Sequence, residues 1–254
     1  MGLFTKKKKQ YGQSRIIVGD STHVGSHGYT RLKDNLLYIN SDGNHKVIQM
    51  ESSMSHEAKT TVAANLAVSL GLTEKKVVVV DLDLRRPRLH RMFQTEKAGG
   101  IAEFMKGEID ENEIIKKTQY DNVDLITRGA EIYNPALVLT SEKFKKLILG
   151  LREKYDFIIF DCAPVLQSSD YIHIGKVSDG ALFLVAYGLT TKSQVADAAK
   201  ELKKNDVKIL GTLFTMYDRK RDSYYGYYGK YYDEIYVEDK KNVNRSLKDN
   251  EDKE

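Results

Sequence analysis

The chain has 254 residues, of which 40 are Lys or Arg and 36 are Asp or Glu, so its formal net charge is only +4. A chain of this length can bury a substantial core, and its nearly balanced charge gives no reason to expect a nucleic-acid partner. The single cysteine, Cys162, excludes an internal disulfide. No apolar run approaches the roughly 20 residues that span a bilayer, and no signal-peptide pattern opens the chain, which predicts a cytoplasmic location.

Residues 1–28 are predicted to form a flexible basic arm. Four lysines at 6–9 follow Leu3 and Phe4, and a Gly-, Ser- and His-rich passage with weak apolar periodicity comes next. The lysines could add attraction to an anionic membrane surface, and a solvated basic tail is the simpler alternative. From 29 to 39, apolar residues recur at helical spacing and predict a short amphipathic helix.

A phosphate-binding loop is predicted between a strand at 46–50 and a helix at 60–70. A complete loop reads G-x-x-x-x-G-K-S/T, with backbone N–H groups around the phosphates, a lysine on the β/γ oxygens and a hydroxyl on Mg²⁺. Here Ser53 and Ala58 hold the glycine positions, while Lys59 and Thr60 keep the two functional groups. Because the helix begins at the loop, its free N–H groups and dipole favour a bound phosphate even without the glycines.

Carboxylates follow two apolar runs farther along the chain. Asp81 and Asp83 follow a strand predicted at 77–80, and Asp161 follows the strand predicted at 157–160. Ligands of open parallel sheets lie beyond the carboxyl ends of strands, so these side chains are expected beside the loop. Residues two apart in an extended chain face the same side, so Asp81 and Asp83 could both reach one Mg²⁺ or a reacting hydroxyl. The structural alternative is that Asp83 caps the chain or pairs with Arg85 or Arg86.

The rest of the chain alternates strands and helices. Short helices and turns are expected over 88–121. Further strands are predicted at 123–126, 157–160, 181–186 and 209–214, and further helices over 134–151 and 193–204. This alternation predicts an α/β fold, with a mostly parallel, doubly wound sheet and helices on both faces, in one domain at 29–217.

The C-terminal stretch, residues 218–254, is predicted to be a disordered, tyrosine-rich tail. Seven of the chain's 16 tyrosines lie between 224 and 236, interleaved with glycine, and the end of the chain is almost wholly polar. A sticky low-complexity terminus is one interpretation. The favoured one is a cluster of phosphate acceptors, because accessible tyrosines in a flexible segment can reach an active site: Tyr224, Tyr225, Tyr227, Tyr228, Tyr231, Tyr232 and Tyr236.

Taken together, these motifs resemble the cytoplasmic bacterial tyrosine kinases of capsule and exopolysaccharide export. The resemblance covers roughly residues 29–236. It depends on hhhhDxDxR at 77–85, Asp-x-x-Pro at 161–164, Asn-Pro at 134–135 before a leucine-rich helix, and the tyrosine cluster. It implies a P-loop NTPase fold with a deviant Walker A loop, like that of the partition ATPases, and ATP and Mg²⁺ as cofactors.

The resemblance also implies roles for individual residues. Lys59 would bind the β/γ-phosphates, Asp81 would activate the incoming tyrosine hydroxyl, and Asp83 would assist at the metal. Thr60 and Asp161 would complete the Mg²⁺ site. The nucleotide-binding loop would comprise Ser55, His56, Glu57, Ala58, Lys59, Thr60 and Thr61, where the family reads Pro-Gly-x-Gly-Lys over the first five positions.

The expected partners are a membrane-bound activator or chain-length regulator of polysaccharide export and a cognate tyrosine phosphatase. Binding to a membrane-bound activator would recruit the chain to the inner face of the cell membrane. The family's ring-assembly pattern Glu-x-x-Arg-x-x-Arg is replaced by His27, Thr30 and Lys33, which leaves open whether the chain forms a homo-oligomer. Thr215 stands where the family places an asparagine near the adenine.

Two functions therefore compete. The favoured hypothesis is an ATP-dependent, autophosphorylating protein-tyrosine kinase that regulates capsular or exopolysaccharide synthesis and export, its activity weakened by the loop substitutions. If Ala58 or His56 must adopt the left-handed backbone conformation, each should cost roughly 1–2 kcal/mol. The alternative is a degenerate relative that acts as a scaffold or phosphoacceptor. A partition-type ATPase is disfavoured because Met54 stands where such loops carry a second lysine.

Overall fold

The structure is a computed structural model that describes residues 15–19, 23 and 25–217. The predicted tyrosine tail at 218–254 and most of the predicted arm at 1–28 therefore lie outside the described residues. The chain divides into two units, Met1–Thr215 and Met216–Glu254, and every helix and strand below belongs to the first.

Helices and strands alternate along the described chain, as the sequence predicts. They follow in the order α1 (Ser26–Ile39), β1 (Val47–Ser52), α2 (Lys59–Gly71), β2 (Val77–Leu82), α3 (Leu89–Met92), α4 (Ile101–Lys106), β3 (Lys116–Lys117), β4 (Val123–Ile126), α5 (Pro135–Thr140), α6 (Glu142–Lys154), β5 (Phe157–Cys162), α7 (Asp170–Gly175), β6 (Gly180–Ala186), α8 (Lys192–Lys204) and β7 (Ile209–Thr215).

The strands form one sheet in the order β3-β4-β2-β5-β1-β6-β7. Only the β3–β4 pair is antiparallel among the described strands, and the other neighbours run parallel. The predicted α/β fold with a mostly parallel sheet is confirmed. Strand β5 lies at the centre between β1 and β2, so the carboxyl ends of these three strands meet at one edge.

The first four residues of β2 and of β5 are all apolar, as expected of strands whose two faces are both covered by helices. In β2, Val77 and Val79 point into a core shared with α1 and α2, while Val78 and Val80 point into a second core shared with α4, α5 and α6. Successive side chains of a strand face opposite sides, so a run of four valines fills both cores. Buried faces on both sides fix the register of the strands that carry the predicted carboxylates.

Three elements differ from the sequence prediction. Strand β3 and helix α7 lie where no such element was expected, and α2 extends through Gly71, one residue past its predicted end at 70. A Cβ at Gly71 would lie 2.7 Å from Val123 Cγ2. The glycine therefore lets the last turn of α2 approach β4 closely.

The described part of the predicted arm is anchored on α2. The Ile17 and Val18 N–H groups donate to Asn65 Oδ1 at 2.7 and 3.3 Å, and Asn65 Nδ2 donates to the Arg15 carbonyl oxygen at 3.1 Å. Ile16 and Val18 also pack against the core that α2 shares with the sheet. A buried asparagine thus holds residues 15–18 against α2.

Candidate functional site

The predicted phosphate-binding loop connects β1 to α2 and contains two left-handed residues. His56 has φ 68° and Ala58 has φ 69°. These are the two positions at which the resemblance places glycine, and an L side chain in this region costs roughly 1–2 kcal/mol. The loop therefore keeps a backbone path suited to glycine although neither residue is glycine.

Lys59 is folded back onto the loop. Its side chain is largely buried, with 7% of the residue exposed, and Nζ donates to Ser52 Oγ at 2.7 Å. Ser52 Oγ in turn donates to the Met54 carbonyl oxygen at 2.8 Å. Sequence reasoning did not identify Ser52, whose position at the end of β1 brings it under the lysine. Phosphate binding by Lys59 stays a prediction.

Thr60 and two of the predicted aspartates meet at the carboxyl edge of the sheet. Thr60 Oγ1 donates to Asp161 Oδ2 at 2.6 Å. Asp81 lies opposite Asp161 in the pairing of β2 with β5. Asp81 Oδ2 accepts from the N–H groups of Arg88 and Leu89, each at 3.0 Å. The expected convergence of the loop and these two strand ends is present in the structure.

Asp83 lies beyond the end of β2 and has a different environment. Its Oδ1 accepts from the Arg86 N–H at 2.9 Å, so one oxygen stabilises the turn after the strand, as the structural alternative predicted. Arg85 does not pair with it and instead lies 3.6 Å from Asp170 Oδ2 through Nε. A metal-binding role of Asp83 stays a prediction.

Burial governs the acidity of the two paired aspartates. It raises the pKa of Asp161 to about 6, against a hydrogen bond from Thr60 and the positive charge of Lys59, which lower it. It also raises the pKa of Asp81 well above its ordinary value, and the neighbouring Asp161 raises it further. Two adjacent carboxyls in a dry site do not both ionise readily, so a proton or a cation is favoured between them.

The donor set at this edge fits Mg²⁺ as a partial site. Asp81 Oδ1 and Asp161 Oδ1 are buried and lack a hydrogen-bond partner among the described residues. No group of three or more His, Cys, Asp or Glu side chains within the described ranges is arranged to hold a metal. Mg²⁺ is commonly held by one or two carboxylates together with waters and substrate phosphates, so Asp161 and Thr60 suit it without forming a complete cage.

Glu51 is a buried acid that sequence reasoning missed. It is fully buried in β1, and its carboxyl oxygens have no hydrogen-bond partner among the described residues other than the Cys162 thiol. Burial raises its pKa to about 8, although the positive charge of Lys59 opposes the shift. The available signal was an acidic residue inside an apolar run directly before the loop.

Glu57 is also fully buried, and it contacts three separate segments. Its Oε1 accepts from the Met54 N–H at 2.6 Å and its Oε2 from the Ala186 N–H at 3.1 Å. Its carbonyl oxygen accepts from Thr215 Oγ1 at 3.0 Å. The Thr215 hydroxyl at the predicted adenine position is thus bonded to the loop.

Comparison with known proteins identifies the family. A family model described as an AAA domain matches residues 45–210. The tyrosine-protein kinase YwqD of Bacillus subtilis (strain 168) is 30% identical over 229 residues, which cover 90% of this chain and 97% of YwqD. The chain belongs to the bacterial tyrosine-protein kinases. The resemblance predicted from its motifs is confirmed.

Some relatives among the bacterial tyrosine kinases are much longer than this chain. The tyrosine-protein kinase Wzc of Salmonella typhi is 28% identical over 223 residues, and the chain spans 31% of its length. Among solved structures, the BceF tyrosine kinase domain is similar with a TM-score of 0.72 and 25% identity, covering 79% of this chain and 81% of that domain.

The nucleotide-binding relatives confirm the predicted P-loop NTPase fold. The septum site-determining protein MinD of Pyrococcus horikoshii, solved in complex with Mg-ADP, is similar with a TM-score of 0.59 and 27% identity. The similarity covers 69% of this kinase chain and 72% of MinD.

In the described part of the kinase, no helix is both long enough and apolar enough to cross a membrane.

Proposed function

We propose that the chain transfers the γ-phosphoryl group of ATP to tyrosine, phosphorylates itself, and regulates capsular or exopolysaccharide synthesis and export. The observation that carries the proposal is the arrangement of Thr60, Asp161 and Asp81 beside a P-loop backbone in a member of the bacterial tyrosine kinases. Phosphoryl transfer demands mainly positioning and charge neutralisation, which these groups supply.

Asp81 is the proposed acceptor of the tyrosine proton. The two backbone N–H groups on Oδ2 fix its carboxyl, while Oδ1 has no partner among the described residues. A cation held beside it by Asp161 would favour the ionised form of Asp81, which is the form that accepts a proton. The tyrosine oxygen attacks the γ-phosphorus, the bond to the β,γ-bridging oxygen breaks, and the phenolic proton passes to Asp81 Oδ1.

Lys59, Thr60 and Asp161 are the proposed phosphate and metal ligands. Bound Mg²⁺ would neutralise charge on the β- and γ-phosphates. Lys59 Nζ would exchange its bond with Ser52 for phosphate oxygens, a short movement because Ser52 lies beside the loop. Thr60 and Asp161 already lie in contact, so their oxygens are placed for one cation. Asp83 would assist with the oxygen that does not accept from Arg86.

The proposed partners are a membrane-bound activator or chain-length regulator and a cognate tyrosine phosphatase. Family membership supports both, and the four lysines at 6–9 offer a salt-sensitive contribution to location at the inner face of the membrane. Self-association into a homo-oligomer is compatible with phosphorylation between molecules. The acceptors would be the tyrosines at 224–236, which lie outside the described residues.

Incubation of the purified chain with Mg-ATP tests the proposal. Phosphotyrosine is measured by mass spectrometry, with the chain alone and with the cytoplasmic segment of a candidate activator. We expect phosphate on the tyrosines at 224–236, and its loss in Asp81→Asn and Lys59→Met. Absence of phosphotyrosine even with the activator would contradict kinase activity.

The second candidate function is a non-catalytic scaffold or phosphoacceptor. One observation favours it: the left-handed residues at 56 and 58 are not glycine. Calorimetric titration with Mg-ATP distinguishes the candidates, because a scaffold need not bind nucleotide. Phosphorylation of the tail by an intact kinase, without binding of Mg-ATP by this chain, would support the scaffold.

A further inference from the structure

Glu57 lies directly between the two left-handed residues of the loop. Its carboxylate accepts one N–H inside the loop, from Met54, and one outside it, from Ala186 at the end of β6. Its carbonyl oxygen is held by Thr215 at the end of β7. The loop is therefore attached to β6 and β7 as well as to β1 and α2, which flank it in the chain.

The chemistry of this attachment is demanding. A buried carboxylate is costly unless both oxygens are hydrogen-bonded, and here each oxygen has one backbone donor. Bonds from N–H groups to an ionised carboxylate are about twice as strong as bonds between neutral groups. Because Ala186 and the neighbouring part of β6 are buried, the anchor on the sheet is rigid.

Left-handed conformations of residues other than glycine persist only where surrounding contacts enforce them. His56 and Ala58 have no glycine-like freedom, and each shares a peptide bond with Glu57. We propose that Glu57 is a positioning residue that holds His56 and Ala58 in the left-handed conformation and so keeps the loop open to a phosphate. The nucleotide part of this inference rests on the proposed function.

This role predicts that the effect of Glu57 on the loop depends on the strain at His56 and Ala58. In Glu57→Gln, the single amide oxygen can serve only one of the Met54 and Ala186 N–H groups, and the amide N–H₂ faces the other. In the native loop we expect the Kd for Mg-ATP to rise at least about tenfold, since a charge-assisted bond is lost. In the loop carrying His56→Gly and Ala58→Gly, the same change should matter less than about threefold, because glycine adopts this conformation freely.

Backbone amide exchange provides a readout that needs no nucleotide. In the free protein, the Met54 and Ala186 amides should exchange at least about tenfold faster in Glu57→Gln than in the wild type, and the increase should shrink in the glycine loop. Thr215→Val removes the third contact at similar volume and should act in the same direction with smaller effect.

Glu103→Gln is the matched control. Glu103 also joins two backbone N–H groups, those of Gly100 and Ala130, at 2.9 Å each, but it lies inside α4, between two helical residues. Its substitution should leave exchange at Met54 and Ala186 unchanged and should not couple to the loop glycines.

The outcomes distinguish the positioning role of Glu57 from the proposed kinase activity. An equal rise in Kd for Glu57→Gln in the native and glycine loops would overturn the coupling. Unchanged amide exchange at Met54 and Ala186 in Glu57→Gln would overturn the proposal that Glu57 holds the loop. If none of these proteins binds Mg-ATP, the proposed function fails, and the exchange rates alone still decide whether Glu57 holds the loop.

Discussion

At the scale of single residues, Glu51 makes stability depend on pH. Its folded-state pKa of about 8 exceeds its ordinary value of 4.5 because of burial, so the folded chain keeps a proton that the unfolded chain releases. The contribution of Glu51 is therefore fully present below about pH 4.5 and is lost as the pH rises to about 8. The slope of a single group cannot exceed about 1.4 kcal/mol per pH unit.

We expect Glu51→Gln to flatten the fall of the unfolding free energy across this window. Urea titrations of both proteins at several pH values measure the difference, in which shared contributions from Asp81 and Asp161 cancel. Glu153→Gln, an exposed position on α6, serves as the control and should preserve the wild-type slope. Parallel curves for wild type and Glu51→Gln would contradict the assignment of this proton to Glu51.

The placement of Asp81, Asp161 and Thr60 could be predicted from the sequence because each stands next to a strong pattern, an apolar strand or a helix start. The contacts of Glu57 could not. They depend on Ala186 and Thr215, which lie 129 and 158 residues farther along the chain. Local pattern carries no information about which distant backbone group will face a side chain.

The structure also changes what the loop substitutions are expected to do. His56 and Ala58 are left-handed in the loop, so both carry the strain of a non-glycine residue in this conformation. Relief of strain at both sites by His56→Gly and Ala58→Gly should offset the entropic cost of the two glycines and change the free energy of unfolding by about 0 to +3 kcal/mol. Thermal unfolding measures this change. A loss of about 1–2 kcal/mol, the entropic cost of the two glycines alone, would show that the left-handed residues carry no strain.

At the scale of secondary-structure elements, Arg152 joins the end of α6 to the starts of β1 and β6. Its Nη2 and Nη1 donate to Asp179 Oδ1 and Oδ2 at 2.6 and 3.1 Å, and Asp179 Oδ2 also accepts from the Val47 N–H at 2.7 Å. Two parallel N–H bonds to a partly buried carboxylate make a strong pair. We expect Arg152→Met to lower the free energy of unfolding by about 1–3 kcal/mol.

Lys145→Met provides the comparison on the same helix. Lys145 pairs with Glu142 at 2.6 Å, and both side chains are well exposed, so its loss should cost less than about 1 kcal/mol. Chemical denaturation of the two variants measures both values. Similar losses would show that the Arg152–Asp179 pair contributes no more than a surface pair. Mg-ATP binding should survive in both variants, because the Arg152–Asp179 pair lies at the amino ends of the strands and the loop lies at their carboxyl ends.

Element prediction failed where the sequence signal is weakest. Strand β3 consists of two lysines at the sheet edge, where one pairing neighbour and no buried face are needed. Helix α7 spans only six residues, fewer than two turns, so no apolar period can develop in it. The four valines that open β2, by contrast, leave no position for a polar face. The strand predicted at 77–80 ends two residues before the observed end of β2 at Leu82.

At the scale of the whole molecule, alternation of strands and helices predicts a parallel sheet but not its strand order. The insertion of β5 between β1 and β2 brings together residues that lie about 80 to 110 positions apart in the pairings of β5. Asp81 and Asp161 share a site only because of this order. The rule that ligands lie beyond the carboxyl ends of parallel strands supplied that expectation, and the register of β2 with β5 gives it a physical basis.

The last prediction is that phosphate passes between molecules. The cleft of each molecule is flanked by its own helices, and we expect the tail of a second molecule to enter it from solvent more readily than the chain's own tail. A Lys59→Met chain, unable to hold phosphate, is mixed with a chain truncated after Tyr217, which lacks the tyrosines at 224–236. We expect phosphotyrosine on the Lys59→Met chain, at a rate that rises with the concentration of the truncated partner. A Lys59→Met chain whose seven tail tyrosines are changed to Phe controls for other acceptors. If the Lys59→Met chain stays unlabelled while the wild type labels itself at a rate independent of concentration, transfer occurs within one molecule.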